Sequence, residues 1–216
     1  MTGLPWPVTV TAPRADGPPV ILRALRTRDR GEWEALRTQN LDWLRPWEAT
    51  APDGVVTKLA FRQVVRHFDR EAKEGRLLPF AIETGGILVG QMHLFGIAWG
   101  SLRCASAGYW VAESVAGQGI MPLALAAACD HAFVRLGLHR IEVNIRPENT
   151  ASLRVVEKLG FRDEGVRLGY LHIDGDWRDH RSFALTTEDL GGSSVVERWN
   201  HWQHQSLQRH TEAGPQ

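Results

Sequence analysis

Two stretches of the chain hold residues whose types and spacing could do chemistry. The first runs Gly108-Tyr109-Trp110-Val111-Ala112-Glu113-Ser114-Val115-Ala116-Gly117-Gln118-Gly119-Ile120-Met121-Pro122. It reads as a strand, a loop with two glycines and a helix that carries Pro122 in its first turn. Glycines let a backbone come close to a ligand, and the first amides of a helix have no internal acceptor. Those amides and the helix dipole suit an anion such as a pyrophosphate. Taken alone, the pattern is more often an ordinary turn. It lacks the Lys-Ser/Thr of a P-loop and the third glycine of a dinucleotide fingerprint, so a pyrophosphate carrier of another kind would suit it, and coenzyme A is one. In the second stretch, Asn149 has the side chain of a helix N-cap, and Ser152 lies one turn inside that helix. By residue type alone, both are ordinary structural positions.

Several elements must hold these residues. Val20–Leu25 reads as a strand, Arg30–Asn40 as a helix, and Leu41–Glu48 as an aromatic segment kept from being helical by Pro46. Thr57–Glu74 has the apolar stripe of a helix in Leu59, Phe61, Val64, Val65 and Phe68. Leu78–Glu83 and Ile87–Phe95 form a hairpin around Thr84-Gly85-Gly86. Ala105–Val111 is a strand, Pro122–Leu136 a helix, His139–Ile145 a strand and Ala151–Leu159 a helix; Tyr170–Ile173 and Arg181–Leu185 make a last hairpin. The expected organisation is a flexible N-terminal arm over 1–19, one α/β domain over 20–190 and a disordered tail over 191–216.

Composition narrows the function classes. With 25 Lys+Arg against 25 Asp+Glu among 216 residues, the net charge is zero, which speaks against a broad electrostatic grip on nucleic acid. No apolar run has a membrane-spanning length and no signal peptide opens the chain, so a cytoplasmic protein is expected. Cys104 and Cys129 lack metal-ligand spacing and read as reduced core thiols. His93, His139 and His180 are scattered in the same way, and no metal is expected.

The order strand, glycine loop, helix, strand and Asn149-x-x-Ser152, ending in Leu159-Gly160-Phe161, resembles the cofactor half of the GNAT acetyltransferases. Trp43-Leu44-Arg45-Pro46-Trp47-Glu48, Gly108-Tyr109, Gly117-Gln118-Gly119-Ile120-Met121 and His139-Arg140-Ile141 narrow the likeness to the RimJ/RimL ribosomal-protein N-terminal acetyltransferases. So do Leu159–Gly165 and the run Tyr170-Leu171-His172-Ile173-Asp174-Gly175-Asp176-Trp177-Arg178-Asp179-His180, with the alanine-type RimJ members the nearer branch. The resemblance covers Val20 to Leu190. It implies a GNAT fold, a mixed and mostly antiparallel sheet of about six to seven strands with one splayed parallel pair, Ala105–Val111 and His139–Ile145. Acetyl-CoA would lie between those strands, held by Tyr109, Trp110, Val111, Ala116, Gly117, Gln118, Gly119, Ile120, Met121, Asn144, Asn149 and Ser152. Ser152 is implied as a donor to the departing thiolate. The sequence departs from the superfamily at Ala116, where a polar side chain is usual, and at Val156, where many members carry an acidic tyrosine.

Direct attack by an amine needs no covalent intermediate. An α-amine, with a pKa of about 7.7–8.0, needs only a modest base, for which Glu48 and, less aptly, Glu113 are candidates. Trp43, Trp47 and Trp99 are possible walls of an acceptor groove, Trp99 being the better candidate for plain packing. The expected function is acetyl transfer to a protein N-terminus of the alanine type. A small-amine acetyltransferase is the alternative, and a non-catalytic acyl-CoA-binding module is a third reading. A monomer or homodimer is expected, with no membrane or direct nucleic-acid partner.

Overall fold

A computed structural model describes residues 4–54 and 59–212. The strands are β1 (Thr9–Ala12), β2 (Val20–Ala24), β3 (Leu77–Thr84), β4 (Ile87–Ala98), β5 (Cys104–Val111), β6 (Arg140–Ile145), β7 (Arg162–Ile173) and β8 (Asp176–Thr186). The α-helices are α1 (Arg30–Gln39), α2 (Leu41–Leu44), α3 (Phe61–Lys73), α4 (Ile120–Asp130), α5 (Thr150–Lys158) and α6 (Val195–Glu212). The eight strands form one sheet in the order β1-β2-β3-β4-β5-β6-β8-β7. Every pairing is antiparallel except β5 with β6. This is the expected mixed sheet with one strand more than the six to seven anticipated.

The extra strand is β1, inside the segment expected to be a loose arm. Its residues pair with β2 from Thr9↔Arg23 to Ala12↔Val20, and Ala12 is buried. The segment expected to be a disordered tail holds α6, whose Val195 and Trp199 are buried in the main core. Asp130 fixes the start of that helix by accepting the Val195 N–H at 2.7 Å and the Val196 N–H at 3.1 Å. Pro46 does not prevent a helix in the aromatic segment. One turn, α2, forms ahead of it, and the ring ends that turn instead. The 57–74 helix begins at Phe61, leaving Leu59 outside it and exposed; Thr57 and Lys58 lie outside the described residues. The last hairpin is longer than the motif suggested because β7, at the sheet edge, is exposed along nearly its whole length and lacks an apolar pattern.

Helices cover both faces of the sheet. On one face α4, buried at ten of its eleven residues, packs between the strands and α6, which explains its all-round apolar sequence. The core there includes Leu22, Phe80, Ile82, Met92, Leu94, Leu123 and Ile141. On the other face a smaller cluster joins Leu25, Phe61, Val65, Ala81 and Leu88, flanked by Trp33, Leu36 and Phe68. Arg23, 5% exposed, ties β2 to β3 and to the turn that follows β2 by donating to Glu83 at 2.6 Å and Asp29 at 2.7 Å. A parallel pair needs a crossover, and α4 supplies it. Only Cys104↔Arg140, Ala105↔Ile141 and Ser106↔Glu142 are in register, so β5 and β6 part beyond Ser106.

Candidate active site

The phosphate loop is built by backbone conformation. After β5 the chain makes a short 3-10 turn at Glu113–Val115, and both Gly117 (φ 79°) and Gly119 (φ 76°) take left-handed values. Gly119 also lacks room for a side chain, because a Cβ there would lie 3.1 Å from Cζ2 of Trp199 in α6. Among the described residues, the amides of Gly117, Gly119, Ile120 and Met121 have no protein acceptor. They stand at the N-terminus of an eleven-residue helix, where the dipole adds to their pull on an anion. Arg14, from beside β1, braces the loop by donating to the Gln118 carbonyl at 3.2 Å.

The loop opens into a cavity of about 870 Å³ lined by Tyr109 to Val111, Ala116, Gly117 and Gly119 to Pro122. Arg154 and Lys158 of α5 also line it, and Lys158 lies 4.5 Å from the ring centre of Trp202. Burial and the nearby Arg154 charge push the Lys158 pKa down. A second cavity of about 290 Å³ is lined by Asn144, Arg146, Tyr170, Leu171 and His180. The two meet at Tyr109, Asn149 and Ser152, with Trp47, Ala49, Phe95 and Gly108 completing the shared wall. This junction sits where β5 and β6 part, so an extended chain lying between the strands would present its end there.

Each sequence-predicted residue can now be placed. Tyr109, Trp110, Val111, Ala116, Gly117, Gly119, Ile120, Met121, Asn149 and Ser152 all line the larger cavity. Gln118 does not; its side-chain amide turns back to the Ser114 carbonyl at 3.0 Å. Asn144 lines only the smaller cavity, where its Oδ1 accepts from Ser182 at 2.7 Å. Asn149 is the N-cap of α5, its Oδ1 accepting the Ser152 N–H at 3.0 Å. Val156 is fully buried and apolar. Glu48 lines the larger cavity and is held bidentately by Arg37, one of the two bonds measuring 2.7 Å. That guanidinium also stacks 5.2 Å over Trp110. Glu113 is exposed, and its backbone N–H is held by Asn40 at 2.9 Å.

Trp43 and Trp47 do line the larger cavity, and Trp43 Nε1 donates to the Val111 carbonyl at 3.1 Å. Trp99 lies outside both cavities and bonds the Gly75 carbonyl. Arg146 pins the aromatic segment, donating to the Pro46 carbonyl at 2.7 Å while lying over Trp47. His93, scattered in the sequence without ligand spacing, lines the cavity with Gln91 and Phe95. Its Nε2 is buried with no partner, and burial lowers its pKa to about 4. His180, also lowered by burial, packs its ring 5.4 Å from Tyr170. His139 pairs with Glu188 at 2.8 Å, away from the site. Sequence alone gave no sign of Arg37, Gln91 or Trp199, and marked Tyr170 only as part of a family motif, because only the folded sheet brings them near the site. Cys104 and Cys129 are buried free thiols. Among the described residues, no three or more His, Cys, Asp or Glu are grouped to hold a metal, and no helix is long and apolar enough to cross a membrane.

The family model described as "Acetyltransferase (GNAT) domain" matches residues 20–162. Probable N-acetyltransferase YjcK of Bacillus subtilis (strain 168) is 32% identical over 175 residues, covering 80% of this chain and 97% of that protein. The [Ribosomal protein uS5]-alanine N-acetyltransferase of Escherichia coli (strain K12) is 28% identical over 172 residues, covering 79% and 89%. Among solved structures, Mycobacterium smegmatis RimJ in complex with CoA-disulfide superposes with a TM-score of 0.82 at 40% identity, covering 89% of this chain and 93% of that one.

Proposed function

The chain belongs to the GNAT acetyltransferase family, within its RimJ/RimL group, and on that footing we propose that it acetylates protein N-termini of the alanine type in the cytoplasm. The observation that carries the reading is the parting of β5 from β6 between an anion loop and a second cavity. The unpaired amides at Gly117, Gly119, Ile120 and Met121, with Arg154 and Lys158 nearby, fit the phosphates of acetyl-CoA. When bound there, acetyl-CoA supplies an activated acyl group. The β5 backbone from Tyr109 to Val111 lines the gap and is placed to donate to the thioester oxygen, an interaction worth several kcal/mol at the transition state.

In the reaction the amine nitrogen bonds to the carbonyl carbon and the C–S bond breaks. Sulfur leaves with the electron pair and ends protonated, while the amine loses one proton. Ser152 stands on the shared wall to donate to the sulfur. Glu48, its charge shared with Arg37, is the residue we assign to hold the water that receives the amine's proton. Holding both reactants in one gap supplies much of the rate.

The acceptor side favours a peptide over a small cationic amine. The smaller cavity holds no carboxylate, and it opens beside the partly exposed Tyr170 and Leu171 of the β7–β8 hairpin. The name of the Escherichia coli relative gives the same acceptor type. The test is mass spectrometry of an acetyl-CoA reaction with a peptide bearing a free N-terminal Ala and an internal Lys, beside the same peptide with its terminus blocked. Acetylation of the free α-amine alone is expected; modification of the blocked peptide, or of neither, rejects the assignment.

A further inference from the structure

Of the three polar side chains on the wall shared by both cavities, Asn149 is committed to capping α5. The other two are hydroxyls, Tyr109 and Ser152. Tyr109 stands opposite Met92 and packs against the core cluster that also holds Cys129 of α4. Its hydroxyl is buried and has no hydrogen-bond partner among the described residues. Ser152 is the other hydroxyl on that wall, near enough to favour the ionised phenol slightly against the larger opposing effect of burial. A buried hydroxyl without a partner costs about 1–3 kcal/mol, a cost that phenylalanine at this position would avoid. Burial also holds the Tyr109 proton in place well above the usual phenol range, so the group stays a donor at every working pH.

A serine hydroxyl has one proton and two acceptor sites. For Ser152 to spend its proton on a departing sulfur, its oxygen must not be donating elsewhere, and an incoming donor fixes the rotor. Val156, one turn farther along α5, is apolar and cannot do this. We propose that Tyr109 is a positioning residue, donating its hydroxyl proton to Ser152 Oγ so that the Ser152 proton is held on the sulfur of coenzyme A. No proton leaves Tyr109 in this scheme. The inference rests on the acetyl-CoA reading above and deepens it.

The test uses the full chain with Tyr109→Phe, Ser152→Ala and the double variant. Free coenzyme A is the first probe, because a bound thiolate absorbs in the ultraviolet whatever the acceptor proves to be. Donation by Ser152 lowers the thiol pKa of bound coenzyme A, and each single variant should raise it by about one unit. The double variant should raise it no further than Ser152→Ala alone, since the tyrosine acts only through the serine. With the Ala peptide, kcat should fall about tenfold in Tyr109→Phe while the KM for acetyl-CoA stays within about twofold. The Tm of Tyr109→Phe without ligand should match or exceed that of the parent, which separates positioning from a packing role. An unchanged thiol pKa in Tyr109→Phe, or additive shifts in the double variant, overturns the proposal. Failure of the parent chain to bind coenzyme A would reject the acetyl-CoA reading, and this inference with it. Binding without peptide turnover would reject only the acceptor assignment.

Discussion

At the scale of single residues, the site depends on groups whose charge and donor state the fold has fixed. His93 is the clearest case. Its folded pKa of about 4 lies below the ordinary value near 6.5, so between those values the unfolded chain binds the extra proton. Stability from this group is therefore full above pH 6.5 and is lost as pH falls toward 4, by roughly 3 kcal/mol at most. Urea unfolding at pH 7 and pH 4.5 should show that loss in the parent chain and a smaller one in His93→Leu. Asn149 and Ser152 separate structure from chemistry in a similar way. Asn149→Ala should cost about 1 kcal/mol through the lost α5 cap. Ser152→Ala should leave unfolding nearly unchanged and lower kcat by about tenfold or more, read from urea curves and peptide turnover on the same preparations. The two residues were legible as a motif because capping is a local signal. The convergence of Ser152 and Tyr109 on one cavity wall was not, since the two lie more than forty positions apart on different elements.

At the scale of elements, the glycine loop and α4 could be read from sequence because glycine, proline and helix-terminal chemistry act over a few residues. The supports behind them could not. In α6, Val195, Trp199 and Trp202 recur at helical spacing, but the Ser, Gln and His around them mask the stripe, and its partner α4 lies far away in sequence. The 1–19 segment misled because Pro and Gly surround the four residues of β1, which are ordered by pairing with β2. β7 misled in the opposite sense: as an exposed edge strand it has no buried face for an apolar pattern to mark. Trp199→Ala should remove about 3–5 kcal/mol of stability, measured by urea unfolding, because the indole is 2% exposed and backs Gly119. Gly90 is a second hidden support. A Cβ there would lie 2.2 Å from the Trp110 carbonyl oxygen, so Gly90→Ala must push β4 off β5 just where β5 lines the cavity. Its expected result is weaker coenzyme A binding together with a lower Tm.

At the scale of the whole molecule, cofactor binding and global stability should be coupled through α6. A ligand that binds only the folded chain stabilises it by about 2.7 kcal/mol at one hundred times its Kd. Asp130→Ala leaves the amides of Val195 and Val196 without their acceptor, at a cost of about 0.5–2 kcal/mol. The rise in Tm on adding coenzyme A should shrink in that variant; an undiminished rise would uncouple α6 from the loop. The position of α6 also has a consequence for biosynthesis. Chains fold as they emerge, from the N-terminus onward. The sheet and the glycine loop are complete in the nascent chain before the Trp199 indole that backs the loop has been translated. A chain that has formed its sheet before α6 can dock would thus hold an anion loop without its support, and firm capture of the acyl carrier would wait for that helix.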